Sequence, residues 1–569
     1  MAVRKIPRRP LGSPGRAARF ADRSDAGTTG GMSEGRARDY DGNIEKPMNR
    51  YLSILLPILL AAHAVSGQQP RPVQVRTSNG ILEGEIAADG AVRSFKGIPF
   101  AAPPVGALRW KAPQPAPAWT GVRKAVEFGP RCTQDRIYDD MVFRDNGPSE
   151  DCLTLNVWAP EAAFAGKAPD AVKLPVMLWI FGGGYMAGGT SEARQDGANL
   201  STKGVVVVSC NYRLGIFGFF AHPEAARESE HNSAGNYGLL DQLAALRWVR
   251  DNIARFGGDP ANVTIFGESA GSFSVSGLVA SPLAKGLFQR AIGESGAFFG
   301  AGLGPEPLAQ AEERNVKFAQ DAFGTASIEK LRSLPAGQVQ QAARAVQWRF
   351  NPVVDGWYLP ESVAAIYAAG RQNRVALLAG WNTDERNYRF FFRDQPATAE
   401  NLIARARERF GEKADVFLKL YPASTDAEAQ RSASDLAGDE FIAFGTWKWI
   451  EQHTRAPGVA VYRYHFEQNL PLPVPAAPHA GEIEYVFGTL SAKNLPWTAE
   501  DRQVSGILAS YWTNFAKTGD PNGAGLPRWP VYREEDGYQV MHLKPISTAS
   551  PDERRGRYLF LDSLSPQAR

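Results

Sequence analysis

Continuous apolar runs alternate along this chain with stretches whose apolar residues recur at helical spacing. Such runs, typical of strands covered on both faces, occupy residues 174–181, 204–209, 374–380 and 459–466. Residues 241–256 place their apolar groups at helical spacing, and Gly257-Gly258-Asp259-Pro260 ends that helix. Strands that alternate with helices predict a parallel or mixed α/β sheet. Because no repeat or long linker follows residue 68, we expect residues 68–569 to form one elaborated domain.

The N-terminal segment has a different pattern. The apolar run 51–62 is too short to span a bilayer, is broken by Pro57 and leads into small residues. We interpret residues 48–67 as a signal peptide, which predicts a secreted or periplasmic protein. No cysteine follows the run, so no lipid anchor is expected. Residues 1–47 are expected to be disordered or a non-native extension, with translation starting at Met32 or Met48.

Charge argues against nucleic acid as a partner. The chain has a net charge of +3, but residues 1–50 hold 11 Lys/Arg and 6 Asp/Glu and so contribute more than this excess. The rest of the chain is therefore close to neutral. A near-neutral body lacks the basic surface that nucleic acid requires. The expected partner is a small molecule.

Three cysteines carry further information. Cys132 and Cys152 flank a polar stretch, and in an exported protein their spacing predicts a disulfide that closes a surface loop. Cys210 ends a valine-rich run and is expected to be an inert core thiol. No Cys/His cluster has metal-ligand spacing, so no metal site is predicted.

The pentapeptide Gly267-Glu268-Ser269-Ala270-Gly271 carries the strongest chemical signal. It follows the strand-like run 263–266 and precedes small and apolar residues that suit a helix. In that context G-x-S-x-G predicts a nucleophile elbow, a strained turn that lifts the serine hydroxyl clear of the sheet. The glycines are needed where a side chain would collide with the neighbouring strand and helix.

A serine hydroxyl needs a base within hydrogen-bond reach and a carboxylate that orients the base, in the chain order Ser, acid, His. His479 lies in a loop rich in proline and glycine between a strand and a helix, which suits the base. The other histidines lie in the signal segment, precede Ser269, or sit in or beside regular elements: His63, His222, His231, His453, His465 and His542. For the acid, the loop after strand 374–380 offers Asp384 and Glu385, and spacing alone does not choose between them.

The run Gly182-Gly183-Gly184 directly follows the strand at 174–181. Bare backbone N–H groups there suit an oxyanion hole. A phosphate-binding loop is disfavoured because neither the following Lys-Ser/Thr nor the G-x-G-x-x-G spacing is present.

Two long motifs resemble those of the type B carboxylesterases, the cholinesterase-like branch of the α/β-hydrolases. Residues 256–271 fit the active-serine signature of that family, and residues 150–157 fit its second signature. Shorter family-like stretches occur at 235–239, 479–483 and 511–516. The resemblance runs from about residue 72 to residue 530. It implies an α/β-hydrolase fold with a large, mostly parallel central sheet, helices on both faces, and elaborated loops over the active site.

Carried over position by position, the resemblance implies Ser269 as nucleophile, Glu385 rather than Asp384 as acid, and His479 as base. It implies that the oxyanion donors are Gly183, Gly184 and Ala270, and it supports the Cys132–Cys152 disulfide. Two positions depart from the family pattern. Phe181 stands where His or Tyr is common, and Arg386 follows the acid where Gly is common. Ser295 resembles a second family serine but fails G-x-S-x-G, so it is assigned no nucleophilic role.

These observations predict a serine carboxylesterase that works without a cofactor on small to medium apolar esters, as a monomer or dimer. Aromatic residues near the motifs hint at an apolar pocket, although core packing is the simpler explanation for most of them. An amidase, lactonase or lipase of the same fold is the alternative. A non-catalytic cholinesterase-like binding protein is disfavoured because the set of Ser269, Glu385, His479 and the glycine run is complete.

Overall fold

The computed structural model describes residues 69–300, 303–346 and 348–564. The predicted N-terminal extension (1–47) and signal peptide (48–67) lie outside the described residues. Across those three ranges, no helix combines the length and the apolar character that crossing a bilayer requires.

A central sheet of 13 strands dominates the part of the chain that the structure describes. The strands, including two short pairs outside this sheet, are β1 (Arg71–Arg76), β2 (Ile81–Ile86), β3 (Val92–Pro99), β4 (Val122–Lys124), β5 (Arg131–Cys132), β6 (Pro148–Ser149), β7 (Thr154–Pro160), β8 (Leu174–Ile180), β9 (Val206–Cys210), β10 (Gly258–Glu268), β11 (Arg290–Glu294), β12 (Glu306–Pro307), β13 (Val353–Val354), β14 (Ala376–Asn382), β15 (Val461–Phe466), β16 (Gln539–Leu543) and β17 (Thr548–Pro551).

The strand order in the sheet is β1-β2-β3-β7-β9-β8-β10-β11-β14-β15-β16-β17, with β4 paired to β2. All neighbours from β9 to β16 in this order are parallel. Antiparallel strands flank this block on both sides. The apolar runs that predicted strands therefore form its centre, because a parallel strand needs cover on both faces.

Helices pack around the sheet, as predicted. They are α1 (Ala198–Ser201), α2 (Gly215–Phe219), α3 (Pro223–Glu228), α4 (Tyr237–Asn252), α5 (Ala270–Ala280), α6 (Leu308–Phe323), α7 (Ile328–Ser333), α8 (Ala336–Arg344), α9 (Val363–Ala368), α10 (Arg389–Phe392), α11 (Ala399–Phe410), α12 (Ala414–Leu420), α13 (Asp426–Gly438), α14 (Phe444–His453), α15 (Ile483–Phe487), α16 (Ala499–Thr518) and α17 (Arg555–Asp562). Among them, α5 contacts β10 and β11, while α16 contacts β8 and β10.

The predicted elements are confirmed with shifted boundaries. The strand expected at 204–209 is β9, and the one expected at 374–380 is β14, which continues to Asn382. The helix expected at 241–256 begins earlier, at Tyr237, and its last turn is a 3-10 helix over Ile253–Phe256. The shift at β14 matters because the strand carries the chain directly to the acid loop.

Two cysteines form the disulfide that the sequence predicted. Cys132 and Cys152 are bonded to each other and are 20 residues apart, while Cys210 is free and buried in β9. Burial raises the pKa of the Cys210 thiol to about 12. Since the thiolate is the reactive form, Cys210 is inert at neutral pH.

Candidate active site

The sequence-predicted site residues meet at the carboxyl ends of neighbouring parallel strands. The glycine run follows β8, Ser269 follows β10, Glu385 follows β14, and His479 lies in the loop beyond β15. Because β8, β10, β11, β14 and β15 are consecutive neighbours in the sheet, their ends open onto one edge. In open α/β sheets this edge is where ligands bind.

Ser269 sits on the strained turn that the elbow motif predicts. Its φ of 53° and ψ of −123° lie outside the regions that side chains usually adopt. The turn is held by the Ser269 N–H, which donates to the carbonyl of Glu294, and by its carbonyl, which accepts from Phe273. A Cβ at Gly267 would lie 2.6 Å from the carbonyl oxygen of Ile180, so the strand leaves no room for a side chain there.

A chain of hydrogen bonds links the serine, the histidine and the glutamate. The His479 Nε2 atom is 2.9 Å from Ser269 Oγ, and its Nδ1 atom is 2.5 Å from Glu385 Oε2. Since a carboxylate only accepts hydrogen bonds, Nδ1 carries the ring proton and Nε2 is left to accept from the serine hydroxyl. This tautomer is the one that a general base needs.

Glu385 is itself held from two sides. Its Oε1 atom accepts from the hydroxyl of Ser295 at 2.6 Å and from the backbone N–H of Asn382 at 2.8 Å. Both contacts orient the carboxylate so that Oε2 faces His479. Sequence reasoning set Ser295 aside as a failed nucleophile motif and missed this contact, because Ser295 is brought beside Glu385 by the pairing of β11 with β14, which no local pattern shows.

Asp384, the other candidate acid, points elsewhere. One of its carboxylate oxygens accepts from the backbone N–H of Ala477 at 2.9 Å, and the other is 3.0 Å from the Arg431 guanidinium. Asp384 therefore ties the acid loop to the histidine loop without touching the imidazole.

Buried carboxylates surround the imidazole. Glu268 Oε1 is 3.3 Å from His479 Nε2; burial raises the pKa of Glu268, and the charge of His479 opposes that rise. Burial of His479 opposes its protonation, but the charges of Glu268 and Glu385 outweigh that effect and raise the pKa of His479 to about 9. The two neighbouring carboxylates thus favour the charged form of this imidazole.

The glycine run lies against the turn that carries Ser269. Gly183 and Gly184 have φ values of 100° and 64°, which favour glycine, and a Cβ on Gly183 would collide with the carbonyl oxygen of Ala187. Within the described residues, nothing accepts a hydrogen bond from the N–H of Gly183 or Gly184. Ala270 is the first residue of α5, whose first-turn N–H groups lack intrahelical acceptors. These three donors are available to a ligand.

Most aromatic residues near the motifs belong to the core. Trp381, Tyr185 and Phe298 are buried, and Phe181 stacks on Tyr212 with ring centroids 4.4 Å apart. The Phe181 ring therefore packs behind the glycine run and supplies no polar group at that place. The backbone N–H donors of the run are unaffected by this departure from the family pattern.

One cavity is lined by His479, and a second is lined by an aromatic residue that packs on it. His479 itself lines one of about 570 Å³ together with Leu470, Leu472 and Pro478. The second, of about 300 Å³, is lined by Phe441, whose ring centroid is 5.2 Å from that of His479. It is also lined by Phe273 of α5, one turn beyond the nucleophile. Two cavities therefore lie close to the imidazole that contacts Ser269.

His465 and His542, set aside as candidates for the base because they sit in regular elements, meet on adjacent strands. Their Nδ1 atoms are 3.0 and 2.5 Å from the same oxygen of Glu467, and Lys544 is 2.8 Å from its other oxygen. The sequence did not predict this trio of potential metal ligands, whose donor atoms all lie within 4.8 Å of one another. Burial of Glu467 opposes its ionisation, but hydrogen bonds from the two histidines and Lys544 hold its pKa well below the usual range. The positive charge of Lys544 therefore stabilises the Glu467 carboxylate.

Comparison with known proteins adds independent evidence. Residues 71–558 match the carboxylesterase family. Fumonisin B1 esterase of Sphingopyxis macrogoltabida is 36% identical over 494 residues, which cover 82% of this chain and 86% of the relative. Para-nitrobenzyl esterase of Bacillus subtilis is 37% identical over 505 residues, covering 85% and 98% respectively. Carboxylesterase 1C of Mus musculus is 35% identical over 532 residues, covering 86% and 92%.

The family match spans nearly all the described residues, and each of these relatives is named as an esterase. The parallel sheet, the nucleophile elbow and these relatives agree with one another. This chain therefore belongs to the carboxylesterase family, with its α/β-hydrolase fold, and is a carboxylic ester hydrolase.

Proposed function

We propose that Ser269, His479 and Glu385 form the catalytic triad, and that the N–H groups of Gly183, Gly184 and Ala270 form the oxyanion hole. The observation that carries the proposal is the unbroken Ser269–His479–Glu385 hydrogen-bond chain at the carboxyl ends of the parallel strands. The His479–Ser269 distance of 2.9 Å is that of an ordinary hydrogen bond, and the His479–Glu385 contact of 2.5 Å is shorter.

The reaction proceeds in two halves. His479 Nε2 takes the proton of the Ser269 hydroxyl as Oγ attacks the ester carbonyl carbon. The oxyanion of the tetrahedral intermediate is held by the free backbone donors. The intermediate collapses to an acyl-enzyme as the alcohol leaves with the proton from His479. Water then attacks the acyl-enzyme with His479 again as base, which releases the carboxylic acid and restores Ser269.

The substrate class is esters of small to medium size with an apolar body. Apolar side chains contribute to the lining of both cavities near His479, among them Leu470 and Leu472 in one and Phe273 and Phe441 in the other, beside charged residues. Relatives named as a para-nitrobenzyl esterase and a medium-chain fatty acyl-CoA hydrolase support a broad ester class. An amidase, lactonase or lipase activity is the alternative within the fold.

We further infer that residues 68–569 are the catalytic domain of a secreted or periplasmic enzyme, and that the signal peptide at 48–67 is cleaved from it. The Cys132–Cys152 disulfide supports this location because such bonds persist in oxidising compartments. N-terminal sequencing of the native protein tests the cleavage. Size-exclusion chromatography with light scattering tests whether the enzyme is a monomer or dimer.

The decisive experiment is hydrolysis of p-nitrophenyl esters from acetate to palmitate by protein that starts at Gln68, beside Ser269→Ala. We expect the variant to lose about 10⁶-fold in kcat, since a triad acts as a unit. The chain-length profile separates a short-acyl esterase from a lipase. Full activity in folded Ser269→Ala would overturn the assignment of the nucleophile.

A further inference from the structure

Two arginines face the cavity beside the nucleophile. Arg349 and Arg386 both line the 300 Å³ cavity that also contains Phe273 and Phe441. Arg386 directly follows Glu385, at the position where the family resemblance led us to expect glycine. Neither the elbow, the imidazole nor the glycine run accounts for two cations at this place.

Arg349 reaches the glycine run. Its Nη1 atom lies 2.8 Å from where a Cβ on Gly184 would stand. A group bound at the Gly184 N–H would therefore lie within a few bond lengths of this guanidinium. Arg349 is exposed, so its donors are open to a ligand that enters from solvent.

Arg386 is held in place by aromatic rings. Its guanidinium lies 3.7 Å from the ring centroid of Phe441 and 4.5 Å from that of Phe390. Stacking of this kind fixes the plane of the fork and leaves its edge N–H groups free. Because Phe441 also packs on His479, the fork is fixed relative to the reacting centre.

The two charges act on each other, and the only nearby counter-charge that affects Arg386 among the described residues is that of Glu385, which is already hydrogen-bonded to His479. Burial lowers the pKa of Arg386, and the positive charge of Arg349 lowers it further. Among the residues that the structure describes, neither arginine makes an ion pair or a side-chain hydrogen bond. The cavity does contain one carboxylate, Glu440, but Arg409 pairs with it at 2.5 Å. The cavity therefore carries a net positive charge.

We propose that Arg349 and Arg386 bind a carboxylate of the substrate, so that the preferred ester carries a free carboxylate group on an apolar body. Paired guanidinium forks match the geometry of a carboxylate and bind it through charge-assisted hydrogen bonds. This inference rests on the proposed function, because it assigns the cavity beside Ser269 to the substrate. The apolar lining accommodates the hydrocarbon part, and the arginines select the charge.

The test compares esters that differ only in charge. Mono-p-nitrophenyl adipate carries an acyl-side carboxylate, and its methyl ester is the neutral partner. The chain is long enough to limit attack by the substrate's own carboxylate. For the alcohol side, acetoxybenzoate is compared with its methyl ester. The readout is the ratio of kcat/KM for the anionic ester to that for the neutral ester.

We expect the wild-type enzyme to prefer the anionic member of at least one pair. Arg349→Gln and Arg386→Gln should each lower that ratio about five- to tenfold, the range expected for a partly solvated charge-assisted contact. Arg386→Lys should retain part of the preference. Arg250→Gln is the matched control, since that exposed arginine pairs with the adjacent Asp251 outside the cavity. About 1 M NaCl should weaken the preference, because the Debye length is then about 3 Å.

A measurement on the wild-type enzyme covers the case in which a variant fails to fold. Adipate should inhibit hydrolysis of p-nitrophenyl acetate competitively, and added salt should weaken the inhibition. The inference would be overturned, with ester hydrolysis intact, by either of two results. One is an equal ratio of kcat/KM for anionic and neutral esters in the wild type and in the variant that carries both Arg349→Gln and Arg386→Gln. The other is no inhibition by adipate. Absence of Ser269-dependent hydrolysis of every ester would instead overturn the proposed function.

Discussion

Replacement of Glu385 by glutamine tests the member of the proposed triad that spacing alone does not distinguish from its neighbour Asp384. The variant keeps the size of the side chain and replaces one carboxylate oxygen by an NH₂ group. The Asn382 N–H is a backbone donor that must find an acceptor at the Oε1 position, 2.8 Å away. The amide oxygen is therefore held there, and the NH₂ group is turned towards His479.

That orientation reverses the tautomer of the His479 ring. An NH₂ group can only donate, so Nδ1 of His479 must become the acceptor and the ring proton moves to Nε2. The protonated Nε2 can no longer take the proton of Ser269. We expect kcat to fall about 10⁴-fold, as in other triads that carry the wrong tautomer. This corresponds to about 5.4 kcal/mol of lost transition-state stabilisation.

The matched control is Asp384→Asn. An asparagine oxygen can still accept from the Ala477 N–H, so only the partly exposed pair with Arg431 is lost. Such pairs contribute less than about 1 kcal/mol, so kcat should fall less than about fivefold. Steady-state and burst kinetics on p-nitrophenyl acetate, with circular dichroism as a check of folding, measure both variants. A Glu385→Gln enzyme within tenfold of the wild type, or an inactive Asp384→Asn enzyme, would refute the reasoning.

Three further predictions concern pH, the disulfide and the glycine run. Since His479 must be neutral to act as base and its pKa is raised to about 9, kcat/KM should rise with pH towards that value. Glu268→Gln removes one of the charges that raise the pKa, so the acid limb of the pH profile should move to lower pH; an unmoved limb would contradict the contact. Replacing Cys132 and Cys152 by serine should lower the free energy of unfolding by about 3 kcal/mol in the chain-entropy picture, as measured by urea denaturation. Gly183→Ala keeps the backbone N–H, but its Cβ would collide with the carbonyl oxygen of Ala187 and displace that donor, so kcat should fall by about 10² to 10³, the typical effect of losing an oxyanion donor; near-normal turnover in the folded variant would show that this N–H is not used.

Much of the fold could be predicted because its signals are local. Apolar runs that are continuous rather than alternating mark strands buried on both faces, and β8, β9, β14 and β15 all come from such runs. Their boundaries moved by two residues or so because hydrogen bonding to neighbouring strands decides where a strand ends. β14 extends to Asn382 through pairing with β15.

Within the candidate site, predictability follows the same division. The Ser269 turn was predictable because its backbone strain requires small residues at fixed offsets along the chain. Asp384 and Glu385 are adjacent in a polar loop, so no local pattern separates them. The direction of each side chain is set by distant partners, Arg431 for Asp384 and Ser295 for Glu385.

The residue types and their short spacings specify the chemistry available to this protein: a serine on a strained elbow, a run of bare N–H groups, and a histidine in a constrained loop after the acid. Which of these groups meet depends on the packing of remote elements. Ser269 and His479 are 210 residues apart, and their contact depends on how β10 and β15 are placed in the sheet. The same packing brings Arg349 and Arg386 to one cavity. Residue types and short spacings can be read directly from the sequence, whereas distances between remote side chains result from the packing of the whole core.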